Sequence, residues 1–351
     1  MEKPATRAFW RAVVTALMLL VVVGPGTAST PREDDDNDDD QPRPVTIGVI
    51  GDMPYTSQQL AAFQGFLNAM SVDPAFRLAI HLGDIKSGGS ACTDAYIKGV
   101  RDAVNSYGGA FVYTPGDNEW TDCHRNAGDP RNPAERLRFL RAKFFYRPGA
   151  TLGLRPRRVL TQASDPRFPA FVENQAWIDG HAVLAVVNLP GSNNDLDPWT
   201  NGVGTAAEQQ QEFDTRLAAD LDWLDQVFDL ADESHARAVV LGIQADMWDP
   251  AAGAAELTGY DQIVQKLAAL ILRFGRPVLL LNGDSHEFVV DNPLANGDPA
   301  HGVTTPVPNL TRIVVQGGAG HFPLEYVKVR IDTRQKRAPF SWERVTPTLA
   351  P

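Results

Sequence analysis

A chain of 351 residues, 43% of them hydrophobic, can bury a large core and suits one large domain or two small ones. Its formal net charge of -11 leaves no net basic surface to track a phosphate backbone, which argues against a nucleic-acid duplex as partner.

The N-terminus carries Lys3, Arg7 and Arg11, then the apolar run Ala12 to Val23, then small residues ending at Ala28. These are the three parts of a secretory signal peptide. The run is short for a ~30 Å hydrocarbon layer, so residues 1–28 are expected to be cleaved rather than kept as an anchor. The mature chain is then expected to be secreted or periplasmic, with no membrane attachment. Residues 29–44 include "PREDDDNDDDQPRP", with seven acids, two arginines and nothing apolar to anchor it. This composition predicts a disordered, self-repelling linker. Residues 45–345 are read as one domain and 346–351 as a C-terminal tail.

From residue 45 the pattern is apolar run, polar loop, helix, several times over. Helical spacing of apolar residues marks 57–70, 92–108, 134–145, 207–231 and 260–275. Between the helices, "AVLAVVNLP" and "ARAVVLGIQADMWD" are continuous apolar runs of the kind buried in sheets. After Asp284, "RIVVQGGAG", "EYVKVRID" and "PFSWERV" alternate, which predicts antiparallel strands and an α/β domain with a β-rich end.

Four apolar runs are closed by Gly-Asp: "VTIGVIGDMPY" at Asp52, "FRLAIHLGDIKSG" at Asp84, "GAFVYTPGDNEW" at Asp117 and "LLLNGDSHEF" at Asp284, with His286 two residues on. Two other Gly-Asp pairs, at Asp129 and Asp298, precede proline in polar stretches and read as ordinary turns. Open α/β sheets bind ligands outside the carboxyl ends of their strands, so the four carboxylates point to one shared site. Without cations they would repel and raise one another's pKa values. A metal centre removes that cost, and oxygen ligands with one imidazole suit manganese, magnesium, calcium or iron. Cys92 and Cys123, the only cysteines, follow Asp84 and Asp117 by a few residues. In an oxidising compartment they are expected to form a disulfide tying the second loop to the third.

The order of these stretches resembles the calcineurin-like metallophosphoesterases. That family's blocks run Asp-x-His, Gly-Asp, Gly-Asn-His-Glu/Asp, a lone His after a strand, and Gly-His-x-His. The corresponding stretches here are "GDMPY", "GDIKSG", "PGDNEWTDCH", "LGIQADMWD" and "GDSHEF", over residues 51 to 288. The resemblance implies a four-layer α/β/β/α sandwich of two mixed sheets flanked by helices. It also implies two metal ions, with Asp52 and His286 on one, Asp117 or Asn118, Gln244 or Asp246, and Asp284 on the other, and Asp84 bridging them. The implied reaction is hydrolysis of a phosphorylated small molecule or a phosphodiester by a metal-bridging hydroxide.

This chain departs from the family pattern at several positions. Pro54 stands at the first-block histidine, Gln244 or Asp246 at the fourth-block histidine, and Asp284 at the first histidine of the last block. In the third block Asp117 falls on the asparagine and Asn118 on the histidine; a one-residue shift would make Asn118 the ligand and Glu119 its neighbour. Three of these replacements keep a metal-capable oxygen. Asn118 cannot protonate a leaving group, which leaves His124 or Glu119 as the acid if either reaches the site. Lys86, Trp120, Asn193 and His321 are candidates for substrate contact, His81 is read as a packed core histidine, and the polar segment near 190–205 as a loop beside the site. Neither Gly-x-Ser-x-Gly nor Gly-x-x-x-x-Gly-Lys occurs, which weakens serine-hydrolase and nucleotide-triphosphatase readings. The alternative from a different class is a noncatalytic extracellular binding protein on the same scaffold.

Overall fold

The apolar run Val45–Ile50 forms β1, and its last four residues are buried. The computed structural model describes residues 42–349; the expected signal peptide, and the acidic linker up to residue 41, lie outside the described residues. Helix α1 (Ser57–Ser71) follows, then β2 (Leu78–His81), α2 (Asp94–Asn105), β3 (Ala110–Tyr113) and α3 (Pro133–Phe144). Each helix starts where the sequence offers a cap. Thr56, Thr93 and Asn132 accept the backbone N–H groups of Gln59, Tyr96 and Glu135, satisfying donors that the first turn leaves open. The apolar stripes of these helices, with Phe63, Phe66, Ile97, Val100, Leu137 and Leu140, pack with Phe111 and Tyr113 of β3.

The second half runs β4 (Leu160–Thr161), β5 (Gln175–Asp179), β6 (Ala182–Val186), α4 (Ala206–Glu233), β7 (Ala238–Gly242), α5 (Asp261–Phe274) and β8 (Val278–Asn282). It closes with β9 (Val289–Asp291), β10 (Leu310–Val314), β11 (Tyr326–Ile331) and β12 (Phe340–Val345). Helix α5 stops at Gly275, whose φ of 65° suits the left-handed cap. Helix α4 packs on β6, β7 and α5.

One sheet has the order β12-β11-β1-β2-β3 and the other β4-β5-β6-β7-β8-β10-β9. Both are mixed: β1, β2 and β3 are parallel, as are β6, β7, β8 and β10, while the remaining pairs are antiparallel. Val49, Ile80, Leu82 and Val112 from one sheet meet Leu184, Val186, Val240, Leu279 and Leu281 from the other in a dry layer. The result is the α/β/β/α sandwich of the calcineurin-like phosphoesterases, as the resemblance implied. The β-rich end differs in one strand. "RIVV" was expected to be antiparallel, yet β10 runs parallel to β8 and only β9 pairs with it in the antiparallel sense. A strand with neighbours on both sides is buried almost throughout, and its sequence alone does not show which neighbour sets its direction.

Candidate metal centre

The loops after β1, β2 and β3 in one sheet and after β7 and β8 in the other are stitched together by their backbones. Asp52 N–H donates to the Gly83 carbonyl at 3.0 Å, Gly283 N–H to Gln244 at 3.1 Å, and Gly318 N–H to Asp52 at 2.9 Å. Glycines in these loops, and Gly191 beside them, allow this approach. A β-carbon on Gly116 would lie 2.2 Å from Oδ1 of Asp84, and one on Gly191 would lie 2.8 Å from oxygens of both Asp117 and Asp284. Asp52, Asp84, Asp284 and His286 all adopt left-handed φ, between 53° and 76°. Non-glycine residues seldom hold that conformation unless the surroundings enforce it, and it concentrates at functional sites.

Two clusters result. In the first, ligand atoms of Asp52, Asp84 and His286 lie within 4.8 Å of one another; in the second, those of Asp84, Asp117 and Asp284 do. Asp84 belongs to both. Hydrogen bonds orient the set: Asp284 N–H donates to Oδ1 of Asp52 at 3.0 Å, and Asp246 N–H to Oδ2 of Asp284 at 3.0 Å.

The electrostatics fit a cation. Burial, reinforced by the neighbouring carboxylates, pushes the acids of Asp52, Asp84 and Asp284 well above the usual carboxylate range. Asp122, also buried and facing the charge of Asp117, is pushed up to about 7. Six carboxylates (Asp52, Asp84, Asp117, Glu119, Asp122, Asp284) crowd around two cations, Lys86 and Arg125, and Arg125 is shared with Asp197, so the acids are in excess and divalent ions would offset them. Oδ2 of Asp52 is buried with no hydrogen-bond partner, an orphaned acceptor of the kind a metal ion satisfies. The residues present therefore fit divalent ions, the second of them once the Gln244 amide turns away from Asp117 and Asp284.

The other sequence candidates fall in different places. Asn118 turns its amide nitrogen to Oδ2 of Asp84 and to the Tyr55 hydroxyl, so an oxygen ligand at this position requires the amide to rotate by half a turn. Gln244 lies between the two carboxylates of the second cluster, with Nε2 at 3.1 Å from Asp117 and 3.0 Å from Asp284, and with Oε1 accepting Gly191 N–H at 2.5 Å. Asp246 stands outside both clusters, its oxygens taken by Arg312 and by Ser285. Glu119 is buried beneath the loops and accepts from Asp84 N–H, Ile85 N–H, Gly116 N–H and the Tyr113 hydroxyl. It anchors two ligand-bearing loops.

His124 is buried, accepts Thr200 N–H at Nδ1, and is held down to about 4 by burial, so it is neutral at pH 7. Lys86 is fully buried and donates to the Asn118 carbonyl at 2.6 Å. Trp120 is fully buried under the Arg216 guanidinium. Asn193 accepts Gly259 N–H at 2.7 Å on the wall of a cleft, and His321 faces Glu325 at 3.6 Å. His81 is a buried brace, bonded to the Met53 carbonyl and accepting Gly83 N–H, between the first two ligand loops. The Cys92–Cys123 disulfide joins the loops carrying Asp84 and Asp117, with both sulfurs against the Asn118 carbonyl.

Two residues at the centre escaped the sequence reading. The Tyr55 hydroxyl donates to Oδ2 of Asp84 at 2.5 Å and lies 3.2 Å from Nε2 of His286 and 3.5 Å from Oδ1 of Asp52. Its only signal was its place at the end of "GDMPY". Ser192 donates to Oδ2 of Asp117 at 2.7 Å from a left-handed turn spanning residues 192–195, inside the segment read as a loop beside the site.

No protein-family model matches this sequence, and no curated protein is significantly similar to it. Several solved structures are remotely alike, among them these three. GAP50, the anchor in the inner membrane complex of Plasmodium, is 10% identical with a TM-score of 0.41, over 87% of this chain and 89% of that one. A 5′-nucleotidase precursor from Thermus thermophilus is 13% identical with a TM-score of 0.40, over 87% of this chain and 55% of that one. A putative 5′-nucleotidase from Staphylococcus aureus is 14% identical with a TM-score of 0.37, over 88% of this chain and 55% of that one. This chain thus spans about half the length of the two nucleotidases. Likenesses this remote assign no activity, substrate or partner. Among the described residues no helix is long and apolar enough to cross a membrane.

Proposed function

We propose that this chain is a metal-dependent phosphoesterase that hydrolyses phosphate mono- or diesters and acts after export. The observation that carries the reading is the pair of three-residue clusters sharing Asp84. Divalent ions held there would supply Lewis acidity and activate water for attack on phosphorus. Asp52, Asp84 and His286 would hold one ion, and Asp84, Asp117 and Asp284 the other. Asp246 N–H and the Asp52–Asp284 contact keep the carboxylates in register, while Glu119 and the disulfide hold the loops beneath them. His124, held neutral by burial and engaged at Nδ1 by Thr200, is a poor general acid, so esters with good leaving groups would be favoured.

One observation favours a noncatalytic binding protein instead. The Gln244 amide, fixed by Gly191, already gives hydrogen bonds to both Asp117 and Asp284. If it keeps that pose, the second ion has no place.

The test is to prepare residues 45–351 under oxidising conditions, load manganese, magnesium, calcium or iron, and assay p-nitrophenyl phosphate and its bis ester beside Asp84→Asn. Two ions per chain and turnover abolished in the variant are expected. Bound metal without turnover on either ester would support the binding-protein reading, and no metal at all would remove the assignment of the centre.

A further inference from the structure

Beside the second cluster a cleft of about 260 Å³ opens to solvent, lined by Asp284 and Ser192 together with Arg125, Asp197, Asp249 and Glu256. Its volume lies just below the roughly 300 Å³ at which pockets for drug-sized ligands begin, and because it is open to solvent its charges, more than its size, decide what it favours. Its charges are unevenly spread. Arg125 is the single basic residue on its wall, partly exposed, and it donates to Ser192 Oγ at 3.1 Å while Ser192 donates to Asp117. Arg125 also pairs with Asp197 at 3.3 Å, and Asp246 is matched by Arg312. Asp249 and Glu256 remain. Each accepts only a local backbone N–H, and neither has an ion-pair partner among the described residues.

We infer that this cleft selects small phosphoesters whose alcohol carries a positive charge, with the phosphoryl group toward Arg125 and the metal cluster and the cation between Asp249 and Glu256. The inference rests on the phosphoesterase reading for the placement of the phosphoryl group. An anionic substituent would be repelled by these two carboxylates, and a neutral one would gain no attraction from them. A cationic substituent completes the pairing. Arg125 already serves Asp122 through Nη1 and Ser192 and Asp197 through Nη2, so it offers a phosphoryl group its positive charge at the cleft wall and not an open bidentate fork.

The experiment compares isosteres in the metal-loaded protein. Phosphocholine and 3,3-dimethylbutyl phosphate have the same shape and differ in a trimethylammonium against a tert-butyl group. Their dissociation constants are measured by calorimetry in the wild type and in Asp249→Asn/Glu256→Gln. Phosphocholine is expected to bind about tenfold tighter or more, with the ratio falling toward one in the double variant and at high salt. Equal affinities in the wild type, or a preference that survives in the double variant, would overturn the inference. Turnover of p-nitrophenyl phosphate in the same preparation reports separately on the phosphoesterase reading. Hydrolysis with no discrimination therefore removes the substrate class alone.

Discussion

Gly283 lies so close to Asp52 that a β-carbon on it would fall 2.1 Å from Oδ2 of the aspartate. The glycine of the last Gly-Asp pair makes room for the carboxylate of the first, as Gly116 does for Asp84. Gly283→Ala is therefore expected to force the two loops apart at an overpacking cost of about 1–3 kcal/mol and to weaken metal binding. Gly65, within α1, has nothing within 4 Å of its virtual β-carbon, and Gly65→Ala should stabilise the fold by about 0.5–1 kcal/mol. Urea unfolding of the two variants should move in opposite directions; a harmless Gly283→Ala would show that the loops have slack there.

Tyr55→Phe removes one hydroxyl that touches Asp84, Asn118 and His286. In the metal-free protein this leaves a buried carboxylate less well satisfied, at a cost of about 1–3 kcal/mol. A bound ion would cover the same oxygen, so the loss should shrink on metal loading. Thermal unfolding with and without chelator checks this. Equal losses in both states would mean that Tyr55 acts independently of the centre.

The pH dependence of the metal-free protein follows from the raised acids. Asp122 has a folded pKa of about 7, above its unfolded value, and Asp52, Asp84 and Asp284 shift in the same direction. The folded state therefore holds more protons than the unfolded state above about pH 4. Stability is fully present below the unfolded pKa and is lost as pH rises through the folded one. Urea midpoints in chelator should fall between pH 5 and pH 8. Metal should reverse the trend, because ions displace those protons and bind more tightly as pH rises. A midpoint that rises with pH in chelator would contradict this account.

The disulfide closes a loop with a sequence separation of 31 residues, for which chain entropy gives about 3–4 kcal/mol. Cys92→Ser/Cys123→Ser should lose stability of that order. It should also bind metal more weakly, since Asn118 and the Asp84 and Asp117 loops lose their tie. Calorimetric metal titration of the double variant separates the two effects; unchanged metal affinity would confine the bond to stability.

The sequence by itself determined a good deal. Apolar runs of strand length closed by Gly-Asp, alternating with helices of amphipathic spacing, set the layered fold, because burying an apolar strand on both faces requires helices over the sheet. The pairing of Cys92 with Cys123 and the carboxylate-rich character of the strand ends were legible in the same way. Which oxygens face one another was not. Asp284 N–H meets Asp52 across 232 positions, and no local period records a contact of that range. Asp246 and Gln244, two residues apart, could not be told apart until the fold placed Arg312 against Asp246 and left Gln244 between Asp117 and Asp284. Glu119 and Lys86, which look like site groups in sequence, are buried under the loops and hold them up. Tyr55 and Ser192 reach the carboxylates only because left-handed turns at Asp52 and after Gly191 aim them there. Strand identity is a local property of hydrophobic pattern, whereas the direction of a polar side chain in a loop is set by whichever distant segment packs against it.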